Sequence, residues 1–209
     1  ALCDIGQAVE LGPSHISWYQ LTLEPNTVFH SKPPPNLPDD ELSWEIQQSG
    51  QAMLRAAGFE HYEISAFARP GQRCRHNLNY WQFGDYLGVG AGAHGKFTSG
   101  DGSIWRYAKP AHPAAFMEQA GKDGPATAAR AVEPGDLGFE FMLNVLRLPD
   151  GFNERQFTER TGLPMSALGG QLGRAQEKGL LESTDGTSWR PTPLGWQFLN
   201  DLQGEFLPA

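Results

Sequence analysis

The chain has 209 residues, of which 39% are hydrophobic and 19% charged, and its formal net charge is −8. This composition can build one large or two small globular domains and argues against disorder. The negative charge argues against nucleic acid as the main partner, since phosphate binding needs a positive face. Two distant cysteines, Cys3 and Cys74, form no disulfide framework, and no apolar run approaches the ~20 residues that span a bilayer. We expect a cytoplasmic protein, with peripheral attachment at the inner face of the membrane left open.

Residues 1–23 indicate a helix followed by a strand. Because the chain opens inside a helical pattern, residues 1–11, we expect a fragment of a larger protein. Residues 14–23 then alternate between apolar and polar side chains, with Gln20 and Thr22 on the polar face. Period two predicts a strand with two environments. In an αβ barrel the apolar face would meet the helices and the polar face the lumen; an edge strand with one wet face is the alternative.

Residues 30–67 add a helix and a second strand. Four prolines in residues 30–38 predict a rigid loop that is neither helix nor central strand. Asp39 is expected to cap the following helix and Gly58 to end it. Residues 60–67 alternate again, so strand, helix and strand predict a βαβ unit with parallel strands. Ligands gather at the carboxyl ends of such strands, and the second strand leads to residues 73–81.

Residues 73–81, RCRHNLNYW, concentrate polar and aromatic chemistry in what we expect to be a loop. They hold arginines, an imidazole, carboxamides, a phenol and an indole. A plain loop needs only residues such as Gly, Ser and Asp, so this density indicates a site. The alternative is structural: His76 and the asparagines would cap loops while Tyr80 and Trp81 pack a core.

The next segments are rich in glycine. Residues 88–95 lack the Gly-Lys-Ser/Thr ending of a phosphate loop, but small residues permit close approach of a flat ligand or of another backbone. Residues 96–98 and 104–107 flank a Gly-rich turn and predict a hairpin. Residues 121–127 are the best linker candidate, being rich in Gly, Pro and Ala.

From Asp136 onward the pattern is helical with a small hairpin, which predicts a winged-helix-like module. Helices are expected to begin at Asp136, Asn153, Ser166 and Thr192, with a hairpin over residues 180–190. The third helix carries only Arg174 and Lys178 as cations, whereas a DNA-recognition helix needs more positive charge. We therefore predict a protein-packing module. The predicted domains are residues 1–120, a linker over 121–135, and residues 136–209, in an α/β (α+β) fold.

The H-N-x-x-Y-W motif resembles the signature of HemW-type haem chaperones. These belong to the radical S-adenosylmethionine (SAM) superfamily and are relatives of oxygen-independent coproporphyrinogen III oxidase. The resemblance covers nearly the whole chain, including YQLTLEPNT at 19–27, YEIS at 62–65, FARPG at 67–71, the glycine run, and WRY at 105–107. It implies the last strands of a radical SAM partial (β/α) barrel followed by a winged-helix-like C-terminal domain.

The resemblance implies that the chain binds haem and hands it to acceptor haemoproteins, with respiratory ones as a candidate group. It places an axial imidazole at His76, with His94 as the alternative ligand. The two arginines would pair with propionates, unless they are solvated surface charges. The expected haem-binding residues are His76, Asn77, Tyr80, Trp81, Arg73 and Arg75.

The resemblance also defines what this chain lacks. Radical SAM proteins hold a [4Fe–4S] cluster on Cx3Cx2C, which is absent here, so the chain alone should neither bind the cluster nor cleave SAM. Gln20 and Thr22 are candidate SAM-facing positions in the full-length family. The rival functions are coproporphyrinogen III oxidase, a decarboxylase, and a winged-helix DNA-binding regulator. We also expect homo-oligomers through the unpaired edge of strand 14–23.

Overall fold

The computed structural model describes residues 1–120 and 128–208. It contains two compact units, Ala1–Cys74 and Arg75–Ala209. The predicted linker candidate, residues 121–127, lies outside the described residues. No helix in the described ranges is both long and apolar enough to cross a membrane.

The first unit packs helices against a small sheet. Its elements are α1 (Leu2–Glu10), β1 (His15–Ser17), α2 (Val28–Ser31), α3 (Asp40–Ala56), β2 (Glu60–Glu63) and β3 (Ala66–Ala68). The predicted ends of α3 are confirmed: the Asp39 carboxylate accepts the Leu42 backbone N–H at 2.9 Å, and Gly58 has φ +84° just beyond the helix. Both follow from local chemistry, since Asp satisfies an exposed helix N–H and Gly adopts positive φ without strain.

The predicted βαβ unit is correct in strand direction but not in pairing: β1 and β2 run the same way, yet they are not neighbours in the sheet. The sheet order is β1-β3-β2, and both pairings are antiparallel. Residues 60–67 are not one strand, because the chain turns at residues 64–65 and β3 returns between β1 and β2. β1 and β2 therefore never share a hydrogen-bonded ladder.

Two further expectations for this unit are corrected. The strand predicted over residues 14–23 has ladder pairing only at His15–Ser17, so Gln20 and Thr22 lie outside regular structure. The loop predicted over residues 30–38 is partly helical, because Thr27 caps the one-turn α2 by accepting the His30 backbone N–H at 3.2 Å. The buried core consists of Ile5, Leu54, Phe59 and Phe67, with Val9, Ile16, Trp18 and Ala57 packed against it.

The second unit contains a three-stranded antiparallel sheet and a mostly helical module. Its elements up to residue 131 are α4 (Arg75–Trp81), β4 (His94–Thr98), β5 (Ile104–Ala108), α5 (Pro113–Gln119) and β6 (Ala128–Ala131). The predicted hairpin is confirmed as β4–β5. β6 pairs with β5 inside the region predicted as a 121–135 linker, so that prediction is wrong for residues 128–131.

The remaining elements form the winged-helix-like module. They are α6 (Leu137–Val145), β7 (Phe152–Asn153), α7 (Glu154–Thr161), a 3-10 helix (Met165–Leu168), α8 (Gly169–Glu177), β8 (Leu181–Ser183), β9 (Ser188–Pro191), α9 (Pro193–Gln197) and α10 (Leu199–Gly204). Asn153 caps α7 as predicted, accepting the Gln156 backbone N–H at 2.8 Å. Ser166 is not a cap, because it lies within the 3-10 helix, and the predicted last helix is interrupted at Phe198.

A single buried cluster joins the sheet to the module. Phe83 and Ile104 belong to the same core as Phe141, Phe157 and Leu202. Residues 75–120, which we predicted to belong with the first domain, therefore pack with the second unit. The short elements of this segment are too small to form a core of their own, so their buried residues pack against those of the module.

Candidate functional site

The H-N-x-x-Y-W motif forms a helix, so the predicted loop is wrong. Residues 75–81 are α4, in which His76 and Tyr80 are four residues apart and share one face. The two rings meet edge to face, with centroids 4.7 Å apart and planes at 79°. His76 is exposed and Tyr80 is half-buried, so the imidazole has an aromatic neighbour on one side and solvent elsewhere.

A tight turn ends α4. The Gly84 backbone N–H donates to the Asn79 carbonyl at 2.7 Å, and Asn79 Nδ2 donates to the Asp85 carbonyl at 2.9 Å. Between them Phe83 has φ +58° although it is buried in the core. A Cβ at position 84 would lie 2.1 Å from Asn79 Oδ1, so only glycine fits there. The turn thereby fixes where α4 stops.

Lys96 on β4 stabilises this turn through hydrogen bonds. Its ammonium is buried, with 2% of the residue exposed, and donates to the Phe83 carbonyl at 3.1 Å and to Asp85 Oδ1 at 2.9 Å. It also lies 4.2 Å from the centre of the Phe83 ring. Burial lowers the pKa of Lys96, against the opposing effect of Asp85. Burial works to raise the pKa of Asp85, but hydrogen bonds from Lys96 and Thr98 outweigh it and hold that pKa below its usual value.

A line of contacts leads from Tyr80 to α6. The rings of Tyr80 and Tyr86 have centroids 4.3 Å apart. Arg106 Nη1 donates to the Tyr86 hydroxyl at 3.2 Å, and Arg106 Nε donates to Glu140 Oε2 at 2.7 Å. Sequence reasoning missed Tyr86 and Glu140 altogether and met Arg106 only within a resemblance. No local spacing could have found them, because these partners lie 20 and 34 residues apart.

Trp81 packs inside the second unit. The Arg147 guanidinium lies 4.1 Å from the centre of the indole ring, a favourable cation–ring contact. The indole Nε1 is buried and has no hydrogen-bond partner within the described residues. This packing agrees with the structural alternative for Trp81, and its role in lining a haem pocket stays a prediction.

The two predicted arginines differ in their surroundings. Arg75 is exposed at the start of α4. Arg73 belongs to the first unit, where its Nη2 lies 3.7 Å from Glu60 Oε2 and its guanidinium lies 5.8 Å from the centre of the Tyr62 ring. The structure thus brings His76 and Tyr80 together, places Arg75 and Asn77 on the same helix, and gives Arg73 a partner of its own. Grouping all six around haem stays a prediction.

Gln20 contacts α3, where its Nε2 donates to Ser43 Oγ at 3.4 Å. Gln20 lines a cavity of about 410 Å³ together with Trp18, Ile46 and Phe67. Thr22 is exposed. A SAM-facing role for either residue stays a prediction.

The residues that could hold metal are few. Within residues 1–120 and 128–208, no three His, Cys, Asp or Glu side chains are arranged to bind an ion. Cys3 is exposed and Cys74 is half-buried, and two thiols cannot supply the three that a [4Fe–4S] cluster needs. A haem iron needs only one axial imidazole, so the exposed His76, and also the exposed His94 on β4, fit that requirement.

The third helix of the module has little free positive charge. Lys178 Nζ lies 2.5 Å from Glu205 Oε1, and Arg174 Nε lies 3.5 Å from Glu205 Oε2. Hydrogen bonds from Lys178 are among the causes that lower the pKa of Glu205. Cations already paired within the module are poorly placed to contact DNA phosphates, which disfavours the DNA-binding alternative.

Comparison with known proteins first defines the fold. Residues 132–198 match the family model of the HemN C-terminal domain. The solved structure described as "Coproporphyrinogen III oxidase (HemN) from Escherichia coli is a Radical SAM enzyme" superimposes with a TM-score of 0.71 at 17% identity, covering 97% of this chain and 50% of that chain. The chain therefore shares the fold of about half of that solved structure.

Similar sequences among the curated proteins cover more of the chain. The chain is 48% identical over 208 residues to the heme chaperone HemW of Escherichia coli K12, covering 99% of the chain and 53% of the relative. The HemW of Haemophilus influenzae is 45% identical over 99% of the chain and 52% of the relative. A shorter match, 51% over 86 residues, is to the bovine mitochondrial "Radical S-adenosyl methionine domain-containing protein 1". The chain is similar to these two bacterial heme chaperones across nearly its whole length, and it spans about half of theirs.

Proposed function

We propose that the chain holds haem and delivers it to acceptor haemoproteins, as the names of its relatives suggest, with His76 as the iron ligand. The observation that carries the proposal is the exposed imidazole of His76 on α4. His76 belongs to the H-N-x-x-Y-W motif, which resembles the signature of HemW-type haem chaperones. Haem is here a cargo that must leave again. An exposed ligand suits that task better than a sealed pocket, because an acceptor can approach the haem edge.

Neighbouring residues supply the remaining interactions. Tyr80 supports the imidazole on one side, and its ring adds apolar surface for the macrocycle. Arg75 is exposed one residue before His76 and would pair with a propionate through two parallel hydrogen bonds. Arg73 would do so only by leaving Glu60. Asn77 and Trp81 complete the proposed set, the latter through its buried and unpartnered Nε1–H.

This chain does not contain the cysteines that would hold a [4Fe–4S] cluster. The [4Fe–4S] cluster and SAM belong to the proposal only for a longer protein that carries the Cx3Cx2C motif. We propose a cytoplasmic location and haemoprotein acceptors. Homo-oligomers through β1 also stay a prediction, since β1 pairs with β3 alone within its sheet of described residues; light scattering at high concentration would test it.

A transfer assay tests the delivery step. The haem-loaded chain is mixed with an apo-peroxidase, whose activity returns when it acquires haem, and passive release is measured separately with excess apomyoglobin. Delivery predicts a transfer rate that rises with acceptor concentration and exceeds passive release. His76→Ala should lose this behaviour. His112→Asn, which changes another exposed histidine but keeps a side chain able to cap α5, should retain it.

The assay also distinguishes His94 from His76 as the iron ligand, and active delivery from passive release of haem. If His94→Ala loses transfer while His76→Ala keeps it, the ligand is His94 instead. If reactivation merely follows passive release for every variant, the chain binds haem without delivering it, and the chaperone proposal fails.

A further inference from the structure

A series of contacts connects His76 to groups that the motif does not include. The contacts run from His76 to Tyr80, from Tyr80 to Tyr86, from the Tyr86 hydroxyl to Arg106, and from Arg106 to Glu140. All five residues belong to the second unit. They come from α4, the segment after it, β5 and α6, so elements distant in sequence converge behind one exposed imidazole.

Tyr86 is held at its backbone and at its hydroxyl. Its backbone exchanges two hydrogen bonds with Lys96, at 2.9 and 3.0 Å, in an isolated antiparallel bridge. Its hydroxyl accepts a hydrogen bond from Arg106 Nη1 at 3.2 Å. These contacts at both ends restrain the phenol ring beside Tyr80, whose ring centre is 4.3 Å away.

Arg106 is itself immobilised. Its Nε and Nη2 both donate to Glu140 Oε2, and the side chains are 28% and 16% exposed respectively. A guanidinium held through two of its nitrogens presents the third in a set direction, because the group is planar and rigid. Glu140 lies in the first turn of α6, where a negative charge is favoured by the helix dipole. The ion pair therefore holds Arg106 Nη1 within hydrogen-bond distance of the Tyr86 hydroxyl.

His76 needs such support. It is exposed on a helix of seven residues, and an exposed side chain samples several rotamers unless a neighbour restricts it. The only aromatic restraint among its described contacts is the Tyr80 ring. An edge-to-face contact constrains the imidazole only as firmly as Tyr80 is itself constrained.

We propose that Tyr86 and Arg106 are positioning residues that set the orientation of the His76 imidazole for haem. This inference rests on the proposed function, because it concerns the same ligand. A pre-oriented imidazole loses less rotational freedom on binding and therefore binds more tightly. It also fixes the plane of the ligand relative to the haem, which the electron paramagnetic resonance spectrum of the bound iron reports.

The simpler alternative is that Arg106 and Glu140 form a fold-stabilising ion pair with no effect on His76. Tyr86→Phe separates the two, because it deletes only the hydroxyl that Arg106 contacts and leaves the ion pair and the ring in place. Arg106→Lys is the second variant, since it keeps a cation for Glu140 but loses the fork that reaches Tyr86. Tyr19→Phe is the matched control, as Tyr19 is exposed and belongs to the first unit.

The test has one readout without haem and one with it. Histidine-labelled apoprotein gives the nuclear magnetic resonance signals of the His76 ring, which the neighbouring Tyr80 ring shifts. Haemin titration and the resonance spectrum then report affinity and ligand orientation. We expect Tyr86→Phe and Arg106→Lys to move the His76 signals, to weaken haem binding about two- to tenfold, and to alter the spectrum. Tyr19→Phe should change none of these.

The outcomes are distinguishable. If the His76 signals, affinity and spectrum of Tyr86→Phe all match those of the wild type, the inference is overturned while haem binding at His76 stands. If affinity falls only because the variant is partly unfolded, its thermal melt reveals this and the His76 signal of the folded fraction decides. If the wild-type chain binds no haem, the proposed function fails and takes the haem part of the inference with it, whereas a displaced His76 signal would still establish the ring contact.

Discussion

Replacing Lys96 with methionine should loosen the turn that ends α4. Methionine nearly matches the length and volume of lysine but carries no ammonium. The change therefore removes the hydrogen bonds to the Phe83 carbonyl and to Asp85 Oδ1, together with the contact to the Phe83 ring. The buried apolar part of the side chain is retained.

The size of the effect follows from opposing terms. A hydrogen bond to a charged group contributes about 1.5–3 kcal/mol and a desolvated cation–ring contact about 2 kcal/mol. Against these, methionine avoids the desolvation of a buried ammonium, which costs several kcal/mol. Because the partner Asp85 is 44% exposed, its carboxylate stays hydrated once Lys96 is gone. We expect a net loss of about 1–3 kcal/mol, or a melting temperature lower by roughly 3–9 °C.

Urea denaturation followed by tryptophan fluorescence measures this loss, and amide hydrogen exchange at Phe83 and Gly84 locates it. Asp85→Asn is the comparison variant: it leaves the buried ammonium without a counter-charge and disturbs the hydrogen bonds from Thr98, so its loss should be at least as large. If Lys96→Met unfolds at the same or a higher urea concentration, with unchanged exchange in the turn, the buried ammonium does not hold the end of α4.

Two further predictions concern other parts of the fold. Burial is the main cause that lowers the pKa of both His15 and His61. As the pH falls below 6.5, the unfolded chain therefore binds protons before the folded chain does, and the free energy of unfolding decreases. His15→Asn and His61→Asn should flatten this pH dependence in urea titrations between pH 7 and 5, and an unchanged slope would contradict the argument. Gly95→Val would place a Cβ 2.0 Å from the Tyr107 ring and should lower the free energy of unfolding, measured by calorimetry, by about 1–3 kcal/mol or more. Gly100→Ala, which has open space around it, should stay within about 0.5 kcal/mol of the wild type. Equal melting temperatures for the two variants would refute the packing argument.

Local chemistry accounts for the parts of the fold that could be predicted. Asp39 and Asn153 were recognisable caps because each side chain satisfies an N–H three residues ahead. The β4–β5 hairpin and the helical pattern after Asp136 were likewise legible from turn residues and hydrophobic spacing. Strand pairing was not, since the reversal at residues 64–65 uses Ile and Ser rather than glycine or proline. β6 was missed because Ala-Ala-Arg-Ala has no strand preference of its own and depends on β5.

The site shows the same division. The motif and its candidate ligand were visible in the sequence, but its polar composition suggested a loop where the chain forms α4. The supports of α4 depend on contacts over long separations: Lys96 reaches back 13 residues to Phe83, and Glu140 is 34 residues from Arg106. Such pairs become visible only when the sheet and α6 are assembled.

Haemin titration tests whether this chain binds haem through His76. Haemin is added to the wild-type chain, to His76→Ala and to His112→Asn while the Soret band is followed. We expect a saturable shift in the wild type and in His112→Asn that is lost in His76→Ala, with the melting temperature of that variant unchanged. No shift in the wild type, or the same shift in all three, would contradict it, and the motif would then serve only to pack and end α4.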